Sequence, residues 1–117
     1  DVQNYMYASE DIYSLSNNDI FSIYSDNHDN IWIGCYGGGL NLLQQTPEGK
    51  VYFINHRNKL QNYPFSTCHN IRYITGTENG ILLVGTTFGW LHSQMTLHNW
   101  KKSSSTEIYK TGTDLLV

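Results

Sequence analysis

The chain alternates short apolar runs with polar or glycine-rich breaks. The most regular stretch is residues 19–43, in which the runs IFSIY, IWIG and LNLL are separated by the polar cluster DNHDN and by three glycines. Runs of β-branched and aromatic residues bounded by Asn, Asp and Gly are typical of strands joined by tight turns. The pattern therefore predicts consecutive antiparallel strands.

The same pattern returns 51 residues later and aligns without a gap. Gly34 aligns with Gly85 and Gly38 with Gly89, and the apolar residues before and after these glycines align as well, for example Ile23 with Ile74 and Leu40 with Leu91. A period near 50 residues with about four strands per unit is typical of propeller blades. Chance similarity between two hairpins is the alternative. Strands that are apolar on both faces, such as Ile31–Ile33, favour blades covered on both sides over a two-layer sandwich.

We therefore predict an all-β fold with about two four-stranded blades of an incomplete propeller. The predicted strands lie near 20–25, 31–36, 40–44 and 51–56 in blade one (19–57), and near 71–75, 81–86, 90–94 and 107–110 in blade two (68–110). Residues 1–10, through the run Asn4–Ser9, are predicted to be the outer strand of a preceding blade. Residues 113–117 are predicted to begin a third blade.

Composition narrows the functional classes. Charged residues make up 15% of the 117 residues and aromatic residues 14%, and the net charge is −3. No basic stripe of the kind that binds nucleic acid is present, and no apolar run approaches the roughly 20 residues of a membrane span. The chain begins without Met or a signal peptide, so we expect a piece of a longer protein. Its expected partners are the remaining blades, or other copies joined through blade edges.

Two segments resemble the two-component regulator propeller repeat. They are SLSNNDIFSIYSDNHDNIWIGCYGGGLN and, less closely, CHNIRYITGTENGILLVGTTFGWL. The repeat positions matched in blade one include Asp26, Trp32, Gly34, Gly38 and Gly39. Blade two retains Gly85 and Gly89, but Thr77 replaces the Asp, Leu83 replaces the Trp, and Trp90 stands at the position of the second glycine.

The resemblance implies a role outside the cytoplasm. That family supplies the periplasmic sensor region of hybrid two-component histidine kinases. It implies ligand sensing, commonly of oligosaccharides, with the signal passed through a dimer to a cytoplasmic kinase. No part of that kinase is recognisable in this chain.

The polar and glycine-rich segments do not form a recognisable cofactor site. The run Gly34–Gly39 lacks the spacing and the following helix of a phosphate loop, so turn glycines are the better interpretation. The cluster at 26–30 has Ile31 where a calcium loop needs Gly, and an Asx-capped turn explains it better. The histidines lack zinc-ligand spacing. We expect no metal and no cofactor.

The two cysteines are predicted to lie at the same end of adjacent blades. In an up-and-down blade, the turn after Cys35 and the connection that carries Cys68 share that end. A periplasmic location would permit a disulfide, but sequence cannot give the distance between the Cα atoms. Free, buried thiols are the preferred interpretation.

The loops at this end carry the candidate ligand-binding residues. Aromatic rings stack on the apolar faces of sugars, while amide groups bond the hydroxyls. The candidates are Tyr36, Asn62, Tyr63, His69, Phe88 and Trp90. The alternative is that these rings fill gaps between blades.

The predicted function is non-catalytic. No nucleophile motif or placed carboxylate pair is recognisable. Two alternatives are a piece of a carbohydrate-active propeller enzyme, with catalytic residues elsewhere, and a module that binds proteins through its blade edges.

Overall fold

Two antiparallel sheets account for almost all the regular structure. A computed structural model describes residues 3–94 and 108–109. The first sheet contains β1 (Ile20–Ser25), β2 (Ile31–Cys35), β3 (Gly39–Gln45) and β4 (Val51–Ile54). The second contains β5 (Ile71–Gly76), β6 (Ile81–Thr86), β7 (Trp90–Gln94) and the two-residue β8 (Ile108–Tyr109). One helical turn, α1 (Phe65–Cys68), lies in the connection between them.

The predicted all-β fold class is confirmed. Strand order follows chain order in both sheets, so each is a meander of the kind that forms a propeller blade. Strands β1, β6 and β7 begin and end at the predicted residues, and β4 is two residues shorter than predicted. The turn before β4 closes as expected for a Pro-Glu-Gly sequence, because Gly49 N donates to Thr46 O at 2.8 Å.

The 51-residue repeat extends to the details of the backbone. Each turn after an inner strand has one residue with positive φ, Asp29 at 63° in blade one and Gly80 at 90° in blade two. Both inner strands carry a register irregularity at the same place, between residues 20 and 22 and between 71 and 73. Backbone hydrogen bonds are repeated as well. The bond from Asp26 N to Asn30 O corresponds to the bond from Thr77 N to Ile81 O, and the bond from Tyr36 N to Asp19 O corresponds to the bond from Thr87 N to Asn70 O. The two blades are therefore structural copies, not two unrelated hairpins.

The blades pack directly on each other around Gly34. Ile71 and Ile74 of β5 lie over this glycine, and a methyl group there would clash with Ile71 Cγ2 and come within 3.0 Å of Ile74 Cδ1. Ile74 N also donates to Ser22 Oγ at 3.0 Å. In each sheet, the front face is the face toward which a side chain at Gly34 or Gly85 would point. The opposite face is the back face. The front face of blade one thus holds the back face of blade two.

The main core fills this contact. It contains the buried residues Trp32, Leu40, Leu42, Ile54, Leu60, Tyr63, Cys68, Ile71, Ile74, Leu82, Val84 and Leu91. A smaller cluster of Leu15, Ile33, Cys35 and Phe53 lies on the back face of blade one. Side chains therefore point into a core from both faces of the first sheet, as the run Ile31–Ile33 predicted.

The outer half of blade two departs from the repeat by one residue. Gly34 pairs with Leu40, whereas Gly85 pairs with Trp90 and not with Leu91, which aligns with Leu40 in the sequence. A one-residue change of register moves every side chain of a strand to the other face. Leu91 is accordingly buried between the blades, and the Trp90 ring lies over Gly85 on the front face. The gapless alignment therefore holds for β5 and β6 but not for β7.

The prediction of an outer strand at Asn4–Ser9 is wrong. These residues form no strand, and the 51-residue spacing explains why: they align with residues 55–60, which form the loop after β4. The Tyr5 ring instead packs edge-on against Phe53, with 5.8 Å between ring centroids. The predicted start of a third blade at 113–117 lies outside the described residues, as do residues 107 and 110 of the last predicted strand.

The loop after β4 holds the segment that precedes β1. The Arg57 guanidinium donates to the carbonyl oxygens of Ala8 and Ser9 at 2.9–3.2 Å. Asn58 Nδ2 donates to Ile12 O at 2.7 Å. These bonds satisfy the backbone of an irregular segment that has no ladder partner.

The contact at Gly34 can be tested by adding one methyl group. We expect Gly34→Ala to lower the free energy of unfolding by about 1–3 kcal/mol, because β5 cannot move away without losing core contacts. The measurement is urea unfolding. In an Ile71→Ala background, which removes the clashing methyl, the same change should cost much less. Equal costs in both backgrounds would contradict the assigned clash.

Candidate functional site

Asp26 organises the turn between β1 and β2. Its side chain is buried and accepts four hydrogen bonds of 2.8–3.0 Å. The donors are the backbone amides of His28 and Asn30, the side-chain amide of Asn30, and Nε1 of Trp32. Trp32 is fully buried in the main core, so this one carboxylate fixes both the turn and the orientation of the core indole.

The second blade makes a reduced version of the same turn. Thr77 Oγ1 accepts from Ile81 N at 3.1 Å, the bond that matches Asn30 N to Asp26. Leu83 takes the place of Trp32, so no indole needs an acceptor. Gly80 supplies the positive φ without strain, whereas Asp29 adopts it in blade one with a side chain present.

The ionised form of Asp26 is the form that the fold favours. Burial by itself raises the pKa of Asp26, but the hydrogen bonds from Trp32, Asn30 and His28 outweigh it and leave the pKa below its ordinary value of 3.8. The turn therefore contains a buried negative charge that neutral hydrogen-bond donors stabilise. Its partners are all supplied by the turn and β2, which indicates a structural role.

The turns after β2 and β6 and the connection before β5 lie together at one end of the sheets, which we call the loop face. His69 O accepts from both Gly37 N and Gly39 N at 2.9 Å, and Tyr36 forms an isolated bridge with Asn70. The predicted meeting of these two loops is confirmed. Tyr36 and His69 are thereby neighbours, although 33 positions separate them in the sequence.

Three rings form a stack on the loop face. The His56 and Phe65 rings are nearly parallel with centroids 3.7 Å apart, and His69 lies 5.7 Å from Phe65 on a tilted plane. His69 Nδ1 is 3.1 Å from Phe65 O. All three rings are half-buried. We call His56, Phe65 and His69 the ring stack.

Within the described residues, His56 carries an unsatisfied buried atom. Its Nδ1 has no hydrogen-bond partner, and burial, with the charge of Arg57, lowers its pKa below the ordinary 6.5. A neutral imidazole is thus favoured beside Phe65, because protonation would place a second charge next to the guanidinium.

The predicted candidates occupy different environments. Tyr36 is half-exposed and stacks on Phe21, with centroids 4.8 Å apart. Asn62 is exposed, and His69 belongs to the ring stack. Phe88 packs against the main core while remaining half-buried. Only part of the predicted set, therefore, lies on the accessible loop face.

Tyr63 and Trp90 do not present their rings to a ligand at the loops. Tyr63 is 4% exposed, its hydroxyl donates to Cys68 O at 2.7 Å, and burial raises its pKa well above 10. Trp90 lies on the front face of blade two, where its ring meets Tyr73 edge-on at 6.5 Å. The gap-filling alternative holds for Tyr63, because its ring is needed in the core.

The remaining repeat glycines support close approaches at this end. Gly38 packs against Ser16 and Asn17, Gly39 against Tyr63 and Phe65. Gly89 O accepts from Thr86 N at 2.8 Å and closes the turn after β6. These contacts bring the segment before β1 and the connection before β5 onto the same turn.

The cysteines are free thiols, as preferred from the sequence. Cys35 and Cys68 are both buried and unpaired. Burial raises the pKa of Cys35, and Asn17 O and Asn41 Nδ2 lie 3.4–3.5 Å from its sulfur. A raised pKa keeps the thiol protonated and unreactive.

Sequence reasoning missed a buried amide network beside the loop face. Asn41 Nδ2 donates to Ser16 Oγ at 2.7 Å, and Asn55 Nδ2 donates to Asn41 Oδ1 at 2.9 Å. Both asparagines are fully buried. An Asn between leucines in the run LNLL was the available signal, since a buried amide requires partners. His56 was also missed, because its position at a strand end gave no pattern.

Other site types lack support in the described part of the chain. No group of three His, Cys, Asp or Glu side chains converges there. No helix among the described residues is long and apolar enough to cross a membrane.

The comparisons with known proteins bear on the motif around Asp26. Residues 14–37 match the family model for the two component regulator propeller. The predicted family resemblance is thus confirmed for the segment that contains β1, the Asp26 turn and β2. A search of curated proteins finds no match.

The role of Asp26 can be tested by removing its charge. We expect Asp26→Asn to lower the free energy of unfolding by about 1–3 kcal/mol near neutral pH, because the new amide nitrogen cannot accept two of the four bonds. Asp29→Asn, in the exposed part of the same turn, is the matched control and should change stability little. Urea unfolding of both variants gives the comparison.

The pH dependence separates charge from shape. Because the folded-state pKa of Asp26 lies below 3.8, its stabilisation is present above that pH and is lost as pH falls through the folded value. The stability gap between the natural chain and Asp26→Asn should therefore narrow below about pH 4. A gap that stays constant in acid would contradict the assignment to the ionised carboxylate.

Proposed function

We propose that this chain is part of a ligand-sensing propeller of a two-component regulator. In this proposal it acts outside the cytoplasm, responds to oligosaccharides, and relays their binding through the remaining blades and a dimer to a histidine kinase. The chain itself is a binding scaffold without catalytic activity.

The observation that carries the proposal is the family match over residues 14–37. The matched segment ends at Gly37 and so includes Tyr36, one of the half-exposed rings of the loop face. The motif residues Asp26 and Trp32 hold β1 and β2 in a fixed relation, and this places Tyr36 beside the connection to blade two. Variable loops on a rigid scaffold are where binding residues concentrate.

The loop face has the chemistry that a sugar needs. Tyr36, Phe65 and His69 are partly exposed rings, and an aromatic ring can stack on a pyranose through a face that the protein leaves free. Asn62 is exposed in the same connection, and amide groups both donate to and accept from hydroxyls. Tyr36, Phe65 and Asn62 are uncharged side chains, which fits a neutral oligosaccharide.

A second candidate, a protein-interaction module, is favoured by one separate feature. Large apolar side chains of β1 are exposed, with Phe21 at 49% and Ile23 at 64%. Contiguous exposed apolar groups mark interaction surfaces. Ile23 lies on the back face of blade one, where it pairs with Ile33.

A binding titration tests the sensing proposal. Neutral oligosaccharides of mixed linkage would be titrated into the 117-residue protein by calorimetry. We expect Tyr36→Ala to weaken binding of a captured sugar roughly three- to tenfold through loss of stacking. Tyr73→Ala removes an exposed ring from the front face of blade two and is the matched control.

The possible outcomes discriminate between functions. Equal effects of the Tyr36 and Tyr73 variants would remove the loop face as the site. Absence of binding across the panel would contradict oligosaccharide recognition by this chain. Cleavage of a polysaccharide, detected as new reducing ends, would favour the carbohydrate-active enzyme instead.

A further inference from the structure

The back faces of the two blades have apolar residues at the same positions but with very different exposure. In blade two, Ile71, Ile74 and Leu82 are 0–2% exposed. The residues that align with them at a spacing of 51 are Ile20, Ile23 and Ile31, which are 42%, 64% and 37% exposed. We call these three the isoleucine face.

The buried set shows what kind of surface the isoleucine face fits. Ile71 and Ile74 lie over a glycine, and Ile74 N bonds the hydroxyl of Ser22. The partner surface is thus the front face of a blade whose central strand has an unobstructed glycine. The isoleucine face has apolar side chains at the same positions as the buried set. It therefore fits the same kind of surface, the front face of a blade with a glycine at its centre.

A second copy of this chain does not offer that surface. The front face of its blade two has Gly85 in the central position, but Trp90 already lies over it: a methyl group at Gly85 would come within 2.6 Å of the indole. The row Tyr73, Gly85, Trp90 replaces the row Ser22, Gly34, Leu40 of blade one. The Trp90 ring takes the place that Ile71 takes over Gly34.

A groove on the back face of blade one supports the interpretation that the isoleucine face lacks its packing partner. It has a volume of about 370 Å³ and lies between residues 3–6 and the sheet. Its lining includes Ile20, Ile23 and Ile33. The segment before β1 therefore covers part of this face and leaves β1 open.

We propose that the isoleucine face binds the front face of another blade of the same repeat, one with an open glycine, and that Trp90 prevents a second copy of this chain from taking that place. The first part follows from the repeat, and the second from the one-residue change of register in β7. The inference is independent of sugar sensing, since it requires only blade packing.

A three-blade chain provides the direct test. A copy of residues 14–64 inserted between Tyr13 and Ser14 adds one repeat of 51 residues and keeps the register of the following blade. The copy presents its own Gly34 to the original isoleucine face. An Ile23→Cys change in the original blade reports burial through its rate of alkylation by iodoacetamide, while the native thiols Cys35 and Cys68 are buried.

We expect alkylation at position 23 to be at least about tenfold slower in the three-blade chain than in the natural chain, because a packed interface opens rarely. Gly34→Val in the inserted copy blocks the contact and should restore the fast rate. Equal rates in the natural and three-blade chains, or slow rates in both three-blade versions, would overturn the proposal.

Self-association gives a second test that does not depend on the inserted copy folding. Light scattering should give a monomer for the natural chain, and Trp90→Ala should open Gly85 and produce head-to-tail association. Adding Ile23→Asp should return that variant to a monomer. A natural chain that associates through the isoleucine face, or a Trp90→Ala variant that stays monomeric at high concentration, would overturn the role of Trp90.

Discussion

The contact between the blades depends on the absence of a side chain at Gly34. Because nothing projects from the middle of β2, Ile71 and Ile74 of the next blade reach the backbone of the sheet. That approach buries a continuous apolar core between two sheets, neither of which has a complete core alone. A sheet with an apolar face must bury that face against another element, and here each sheet does this for the other.

The repeat keeps its backbone while its side chains diverge. Asp26 and Thr77 close the same turn, one with a buried carboxylate and the other with a hydroxyl. The carboxylate is needed only where an indole, Trp32, must be satisfied inside the core. Blade two has Leu83 there, so a weaker acceptor suffices. The carboxylate therefore satisfies a polar group buried in the core of blade one, and blade two has neither the carboxylate nor the indole.

One residue fewer in the turn after β6 changes the front face of blade two. The shorter turn after β6 turns Trp90 toward Gly85 and Leu91 toward the core. The front face of blade two is thus filled by its own aromatic side chain, and the back face of blade one keeps exposed isoleucines. The two outer faces are therefore not equivalent. The back face of blade one is open for packing, whereas Trp90 covers the central glycine on the front face of blade two.

Local patterns predicted the strands well and the contacts between them less well. Apolar runs and Asn-Gly or Asp-rich turns determine β1, β2, β5 and β6, since those signals act within a few residues. The sequence did not predict on which face of the sheet Trp90 lies, because that depends on a one-residue change of register that the spacing of the glycines does not reveal. The error at Asn4–Ser9 came from reading a β-prone run without applying the 51-residue spacing to it.

The candidate site shows the same limit. Tyr36 and His69 could be placed at one end by topology alone, because adjacent loops of a meander share an end. Tyr63 could not be recognised as a core residue, since its burial depends on the hydroxyl reaching Cys68 O. His56 joins the ring stack through tertiary packing on Phe65, for which a single sequence carries no periodic signal.

Native-state hydrogen exchange measures most directly whether the two blades form one unit through Gly34. The account predicts that the slowest amides of β2 and β6 exchange through a common opening, with the same free energy and the same dependence on denaturant. Amides of β6 that exchange through a separate opening of clearly lower free energy, while β2 remains protected, would contradict it. In that case the blades would be independent, and the contact at Gly34 would not hold the structure together.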